Sequence, residues 1–268
     1  MILIIKKAPS QSLKRDFSTI KSSKIWKDAL ANDQVDMRDL FDNAERDWVI
    51  PGFKDKIRNE LFSQQNGLCA YCMSRLSLAS TVQTVKIEHY HPLSIKKYRC
   101  ETFSFANYLL VCTGGSKCGD DARKTCDTRK GNQEITIDPT NRIHMSHIIY
   151  RPNGIISYSD PSDPQVQQQI IEDINERLNL NGVTDVSHEH CLLDNAEELV
   201  AGRRLAYRKA NEEIDKLRKK KELTHEAILK LIAKYTKKHL AFEGVYIYVF
   251  NLRLKTAIHN HSRSRLTV

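Results

Sequence analysis

The chain lacks any apolar run approaching the roughly 20 residues that cross a bilayer, so no membrane-spanning helix is expected. It also lacks the order of a secretory leader. MILIIKKAPS puts its short apolar run before its lysines, the reverse of a signal peptide, and a cytoplasmic protein is expected. No internal repeat is visible. The composition is not that of a disordered chain, because 40% of residues are hydrophobic and 28% charged. At 268 residues the sequence makes one large domain or two small ones and can bury a core without staples.

What is present begins with charge. Lys and Arg number 42 against 33 Asp and Glu, a formal net charge of +9. Residues 201–268 hold 17 Lys and Arg against 6 Asp and Glu, while the first 200 residues are slightly acidic. A basic segment suits phosphate backbones or an acidic partner, and its bland alternative is a solvated, lysine-rich helix face. The seven cysteines are an odd number in a chain with no export signal, which favours metal binding over a disulfide scaffold. Cys69, Cys72, Cys100, Cys112, Cys118 and Cys126 crowd one stretch, and only Cys191 lies apart.

Along the chain, residues 2–5 (ILII) read as a short strand and residues 24–49 as helix, broken before Pro51. A helical pattern over 52–65 ends at Asn66-Gly67, as a C-cap does. In the cysteine-rich stretch 67–131 the clearest strand is Val85-Lys86-Ile87, running into Glu88-His89. Residues 143–150 and 154–158 form a hairpin pattern, and the Gln-rich 164–178 reads as helix. From about 188 to 240 long helices are expected. Leu192, Ala196, Leu199, Arg203, Ala206, Ala210, Ile214 and Leu217 recur at three- and four-residue steps. Thr224 is an N-cap candidate ahead of Ile228, Leu231, Ile232 and Tyr235. The run Tyr246 to Phe250 reads as buried packing, and Cys100 as a small buried or half-exposed side chain.

Two elements bear chemistry. Cys69-Ala70-Tyr71-Cys72 is a C-x2-C knuckle able to turn two sulfurs toward one ion, and no surrounding βαβ pattern supports a redox reading. A second pair must lie downstream; Cys112 and Cys126 are the candidates, with Cys118 a substitute for either. The second element is Glu88-His89-Tyr90-His91-Pro92. Neighbours on a strand point to opposite sides, so Glu88 and His89 diverge unless a bend at Pro92 turns both to one site. An imidazole can deprotonate water, and a carboxylate can hold a hard divalent ion.

C-x2-C, then Glu-His-x-His-Pro, then Asn107-Tyr108-Leu109-Leu110-Val111-Cys112, then Cys126-Asp127-x-x-Lys130-Gly131 together resemble the HNH endonuclease family over residues 67–131. The resemblance implies an α+β, mainly helical fold: a ββα-metal core with a zinc knuckle, flanked by N-terminal helices and a helical C-terminal region. It implies residues 1–66 packing on the core, 67–160 as the nuclease core with zinc site and hairpin, and 161–268 as a basic helical region for partner docking or nucleic-acid binding. It makes His89 the general base and Asn107 the residue that fixes the backbone holding it. Glu88 and Asp127 become ligands of a catalytic Mg²⁺ or Mn²⁺, with His91 as a third ligand or a phosphate contact. Cys69, Cys72, Cys112 and Cys126 become ligands of a structural Zn²⁺. Lys124, Arg129 and Lys130 are weak candidates for nucleic-acid contact.

The sequence departs from the family pattern in two places. Thirteen residues (TGGSKCGDDARKT) separate Cys112 from Cys126 where two are usual, and Asp127 stands where Asn is common. The literal His259-Asn260-His261 is a decoy in a basic tail, and His188-Glu189-His190-Cys191 lacks a partner cluster for a metal. More narrowly, the chain resembles the PtuB-type nucleases of Septu antiphage defence and some retrons. That resemblance implies an ABC or SMC-like ATPase partner (PtuA), and in a retron a reverse transcriptase with its RNA–DNA hybrid. The alternative, from a different class, is a non-catalytic zinc-knuckle module that binds nucleic acid or docks an ATPase.

Overall fold

The structure is a computed structural model describing residues 1–79, 85–115, 123–182 and 195–264, with side chains in the last stretch described from 196 to 255. Cys118, Cys191, Leu192, the His188–Cys191 cluster and the side chains of His259-Asn260-His261 lie outside the described residues.

Residues 2–5 do not form a strand. Ile4 donates its N–H to Pro139 O at 2.9 Å, but no ladder follows, and Met1 and Ile4 are instead buried as single side chains. Helix α1 (Gln11–Ser22), not anticipated from the sequence, starts where Ser10 accepts from Leu13 N and buries Leu13, Phe17 and Ile20. The single helix expected over 24–49 is three: α2 (Lys24–Ala31), α3 (Met37–Asp42) and α4 (Ala44–Asp47). The run breaks where α2 ends at the extended backbone of Asn32, and α3 starts afresh where Asp36 accepts from the N–H groups of Arg38 and Asp39. Helix α5 (Phe53–Gln64) ends as expected, with Asn66 and Gly67 both at positive φ.

Strands β1 (Val85–His89) and β2 (Tyr108–Cys112) pair antiparallel, with Glu88 opposite Leu109 and His89 opposite Tyr108. Helix α5 packs on this hairpin, and so does the short α6 (Cys126–Lys130). The result is a ββα unit. Its apolar side is an aromatic cluster in which Phe41 lies 5.5 Å from Tyr108 and Trp26 5.2 Å from Phe103.

Helix α7 (Arg142–Ser146) takes the first half of the segment expected as strand, because Asn141 caps it through the N–H groups of Ile143 and His144. The hairpin is then β3 (Ile148–Tyr150) with β4 (Ile156–Tyr158). Helix α8 (Pro164–Glu172) widens into a π turn at Asp173–Arg177. The C-terminal region is α9 (Asn195–Lys219), α10 (His225–Thr236) and α11 (Glu243–Ser264). Thr224 caps α10 through Ala227 N, and the α9 stripe from Ala196 to Ile214 is buried as its spacing predicted. Tyr246, Val249 and Phe250 are buried on α11, which packs against α9 and α10. The fold is α+β and mainly helical. Among the described residues no helix is long and apolar enough to cross a membrane.

Candidate functional site

Cys69, Cys72, Cys112 and Cys126 converge, with all four sulfurs within 4.8 Å of one another. Sγ of Cys69 lies 3.9 Å from that of Cys126, and Sγ of Cys72 lies 3.7 Å from that of Cys112. A tetrahedron with zinc–sulfur bonds of about 2.3 Å has sulfur–sulfur edges of about 3.8 Å, so the donor set fits zinc. The cysteines are free thiols, and Cys112 N and Ser74 N point at the sulfurs of Cys69 and Cys72, 3.4 Å away in each case. The long spacing between Cys112 and Cys126 is absorbed locally. Thr125 N donates to Gly114 O at 3.0 Å, pinching off the intervening residues so that both cysteines reach the knuckle. Gly114 sits at φ +50°, and a Cβ there would lie 2.0 Å from Thr125 O. Cys126 is itself at φ +55°, a strained conformation held by its N–H bond to Leu178 O at 2.9 Å.

Beside this cluster β1 and α6 bring two carboxyls together. Glu88 is 1% exposed, and its carboxyl is in hydrogen-bond contact with that of Asp127. Lys130 Nζ lies 2.6 Å from Glu88 Oε1 and 3.3 Å from His89 O. Lys86, two residues before Glu88 and so on the same strand face, lies 3.7 Å from Asp127. Burial, reinforced by Asp127, pushes the Glu88 carboxyl well above its usual range. Burial also opposes ionisation of Asp127, yet the bond from Glu88 and the ammoniums of Lys86 and Lys130 hold it below. An all-oxygen pair of this kind fits a hard divalent cation, which commonly takes only one or two protein carboxylates and completes its shell with water and phosphate. Tyr71, inside the C-x2-C, donates to Glu88 Oε1 at 3.3 Å and so joins the cysteine knuckle to the acid pair.

His89 faces the other way, as strand alternation requires. It is 1% exposed, with Phe41 and Tyr108 edge-on to its ring at 4.7 and 5.0 Å. Its Nε2 lies 3.2 Å from Thr102 O, which can only accept, so Nε2 carries the proton and Nδ1 the lone pair. Nδ1 is buried and has no hydrogen-bond partner among the described residues. Burial, aided by the charge of Arg38, lowers the imidazole to about 3 and keeps it neutral.

Asn107 clasps the peptide of His91 rather than that of His89. Its Oδ1 accepts from His91 N at 2.7 Å and its Nδ2 donates to His91 O at 3.1 Å. The His91 ring is engaged elsewhere, with Nδ1 2.7 Å from Glu101 Oε2 and the ring stacked on Tyr98 at 4.2 Å. Glu88, Asp127 and His91 do not bring three ligand atoms within 4.8 Å of one another.

No family model matches the chain. A protein of Vibrio cholerae serotype O1 biovar El Tor, named "Retron Vc95 putative HNH endonuclease", is 27% identical to it over 107 residues. That stretch is 40% of this chain and 48% of that protein, so the chain spans about half the length of the curated relative it matches.

The other expected positions divide. Lys130 is not a surface cation; it is 1% exposed and neutralises Glu88. Lys124 and Arg129 line a cavity of about 470 Å³ with Thr128, Gln133, Glu176 and Arg177. Cys100 is exposed, because it sits on a 3-10 turn (Lys96–Glu101) that buries no side chain. Lys86 was not singled out from the sequence, although period-two spacing from Glu88 was the signal for it. Thr102, whose carbonyl sets the His89 tautomer, carries no sequence signal at all.

Proposed function

We propose that the chain is a metal-dependent endonuclease of the HNH type, hydrolysing phosphodiester bonds of nucleic acid. The observation that carries this reading is the buried, neutral His89 beside the acid pair in sequence, anchored through Nε2 on Thr102 O with its Nδ1 lone pair unpartnered among the described residues. Lys130 ties it to the acid pair by touching both Glu88 Oε1 and His89 O.

In this reading the end of β1 turns on substrate binding to bring the buried His89 Nδ1 to the acid pair's side, where it takes the proton of the attacking water as the new bond to phosphorus forms and the leaving oxygen departs. A divalent ion such as Mg²⁺ or Mn²⁺ at Glu88 and Asp127 supplies charge stabilisation to the phosphate and the leaving oxygen. Lys86, about one-third exposed at the rim of the pair, offers an ammonium to a non-bridging oxygen. Asn107 holds the turn after β1, and the cysteine cluster with its structural zinc holds α6 and therefore Asp127.

The name of the Vibrio cholerae relative supports a retron setting. We place the chain as the effector nuclease of a retron- or Septu-type antiphage system, with residues 161–268 docking an ABC or SMC-like ATPase. A reverse transcriptase and its RNA–DNA hybrid complete the retron form. Within this reading the core spans residues 67–160, and DNA or an RNA such as tRNA is the substrate.

A second reading is a zinc-knuckle module without catalysis. Lys130 favours it, because its ammonium already neutralises Glu88 at 2.6 Å. One experiment separates the two. Wild type and His89→Gln are incubated with plasmid DNA and total RNA in Mg²⁺ or Mn²⁺, with and without the ATPase. Cleavage by wild type alone supports the nuclease and names its substrate. Salt-sensitive binding with no cleavage in any lane, from zinc-loaded protein, supports the binding module.

A further inference from the structure

Arg203 heads the fully buried side chains of the described structure by volume, at 0% exposed. It sits in the apolar stripe of α9, between Leu199 and Ala206. Its Nε donates to Gly154 O and its Nη2 to Leu180 O, both at 2.6 Å, and Nη2 also reaches Asn181 Oδ1 at 3.3 Å. Every one of these acceptors is neutral. Among the described residues Nη1 is buried with no hydrogen-bond partner, and no carboxylate pairs with the guanidinium. A guanidinium does not shed its proton in a protein, and a buried charge without a counter-charge is strongly disfavoured.

The surroundings point to the missing charge. Leu178 O, two residues before the carbonyl that Arg203 grips, accepts from Cys126 N at 2.9 Å. Asn179 Nδ2, between them, donates to Lys124 O at 3.0 Å, at the entry to the same cysteine turn. Residues 178–181 are thus a strap with Cys126 on one side and Arg203 on the other. The hairpin turn closes the pocket from above. Gly154 lies so near α9 that a Cβ on it would be 2.2 Å from Val200 O. Burial lowers the guanidinium to about 10; of the groups that act against this, burial keeps the Tyr150 hydroxyl protonated, which leaves the thiolates of Cys72 and Cys126. Four thiolates on one Zn²⁺ leave a surplus of two negative charges.

We propose that Arg203 is the counter-charge of the four-cysteine zinc cluster, and that through the 178–181 strap it makes the docking of α9 depend on zinc. This rests on the zinc reading of the cysteines. Arg203 is a positioning residue in this role: it touches no ligand atom of a substrate, and it acts through Leu180, Leu178 and Cys126.

The test uses the full chain. Zinc per chain is measured by elemental analysis, and zinc release is then followed with the chelating dye 4-(2-pyridylazo)resorcinol. Arg203→Gln keeps an amide donor and removes the charge, whereas Arg203→Lys keeps the charge. We expect Arg203→Gln to release zinc about 10- to 100-fold faster, the usual effect of losing a supporting residue around a metal, and Arg203→Lys to stay near wild type. Cys112→His lowers the charge of the cluster. It should speed release in wild type and slow it in Arg203→Gln. The cobalt-substituted protein should keep its four-thiolate absorption bands in the Arg203→Gln and Arg203→Lys single variants. Equal release from wild type and Arg203→Gln, or Gln and Lys behaving alike, would overturn the counter-charge role. Wild type devoid of zinc would instead overturn the zinc reading beneath it. Hydrogen exchange on wild type alone gives a check that needs no variant. Stripping zinc should expose amides of 178–181 and α9 while sparing α1 and α2, and an unchanged α9 or a uniform loss of protection would refute the linkage.

Discussion

Asn107 grips the His91 peptide at both ends, Oδ1 on its N–H at 2.7 Å and Nδ2 on its carbonyl at 3.1 Å. One side chain thereby replaces the ladder bonds that end when β1 does, and Tyr90 N completes the clasp on Asn107 O at 2.9 Å. The residue just before this clasp is His89. Asn107→Asp keeps the shape but sets a carboxylate oxygen against His91 O. It should cost about 1–3 kcal/mol of stability from the lost donor and the unsatisfied carbonyl. Loosening the turn should lower cleavage about 100-fold with little change in substrate binding. A variant with wild-type kcat would show that the turn does not position the base.

Much of this was legible beforehand, for reasons that differ by residue. The C-x2-C knuckle, the strand at Val85–His89 and the α9 stripe are local patterns, and local periodicity survives tertiary packing. The divergence of Glu88 from His89 also follows from strand geometry alone. The breaks at Asp36 and Asn141 were missed because a cap competes with an apolar pattern and wins only in context. The closing of Cys112 on Cys126 was not legible, since it depends on the Gly114–Thr125 pinch, a contact between residues eleven apart. Nor was the burial of Lys130, because an i, i+3 position on a five-residue helix does not show which face meets β1.

Lys130 and Glu88 form a buried pair in which each is about 1% exposed. Removing one partner strands the other. Lys130→Met should therefore destabilise the protein by about 3–5 kcal/mol, and Glu88→Gln added to it should recover much of that loss. If Glu88 and Asp127 hold a divalent ion, Mg²⁺ should raise the melting temperature of Lys130→Met more than that of wild type. Thermal unfolding with and without Mg²⁺ decides this, and an identical response in both proteins would argue against an ion at the acid pair.

The pinch at Gly114 makes a sharper prediction than the cysteines themselves. Cys69→Ser should lose zinc simply because a ligand is gone. Gly114→Ala leaves all four ligands in place but sets a methyl where Thr125 O lies 2.0 Å away, at φ +50°. It should cost at least about 2 kcal/mol and release zinc faster than wild type. Elemental analysis with urea unfolding of the zinc-loaded protein checks both. Unchanged zinc retention would mean that the cysteines meet without the pinch.

Burial of His89 between Phe41 and Tyr108 makes an alanine there a cavity. His89→Gln is the better probe. Its amide can keep the bond to Thr102 O while the Nδ1 lone pair is removed, so cleavage should fall about 100- to 10,000-fold with the fold retained. The same residue sets a pH dependence. Folding lowers the imidazole from 6.5 to about 3, so between those values the unfolded chain binds the proton and the native state does not. Stability from the neutral form is fully present above pH 6.5 and is lost as pH falls toward 3. The limiting slope is about 1.4 kcal/mol per pH unit. Glu88 and the cysteines also respond to acid, and comparing the two proteins at each pH cancels their shared contribution. Between pH 7 and 4.5, urea unfolding should show wild type losing stability more steeply than His89→Gln. Parallel curves would mean that His89 is not held neutral by burial.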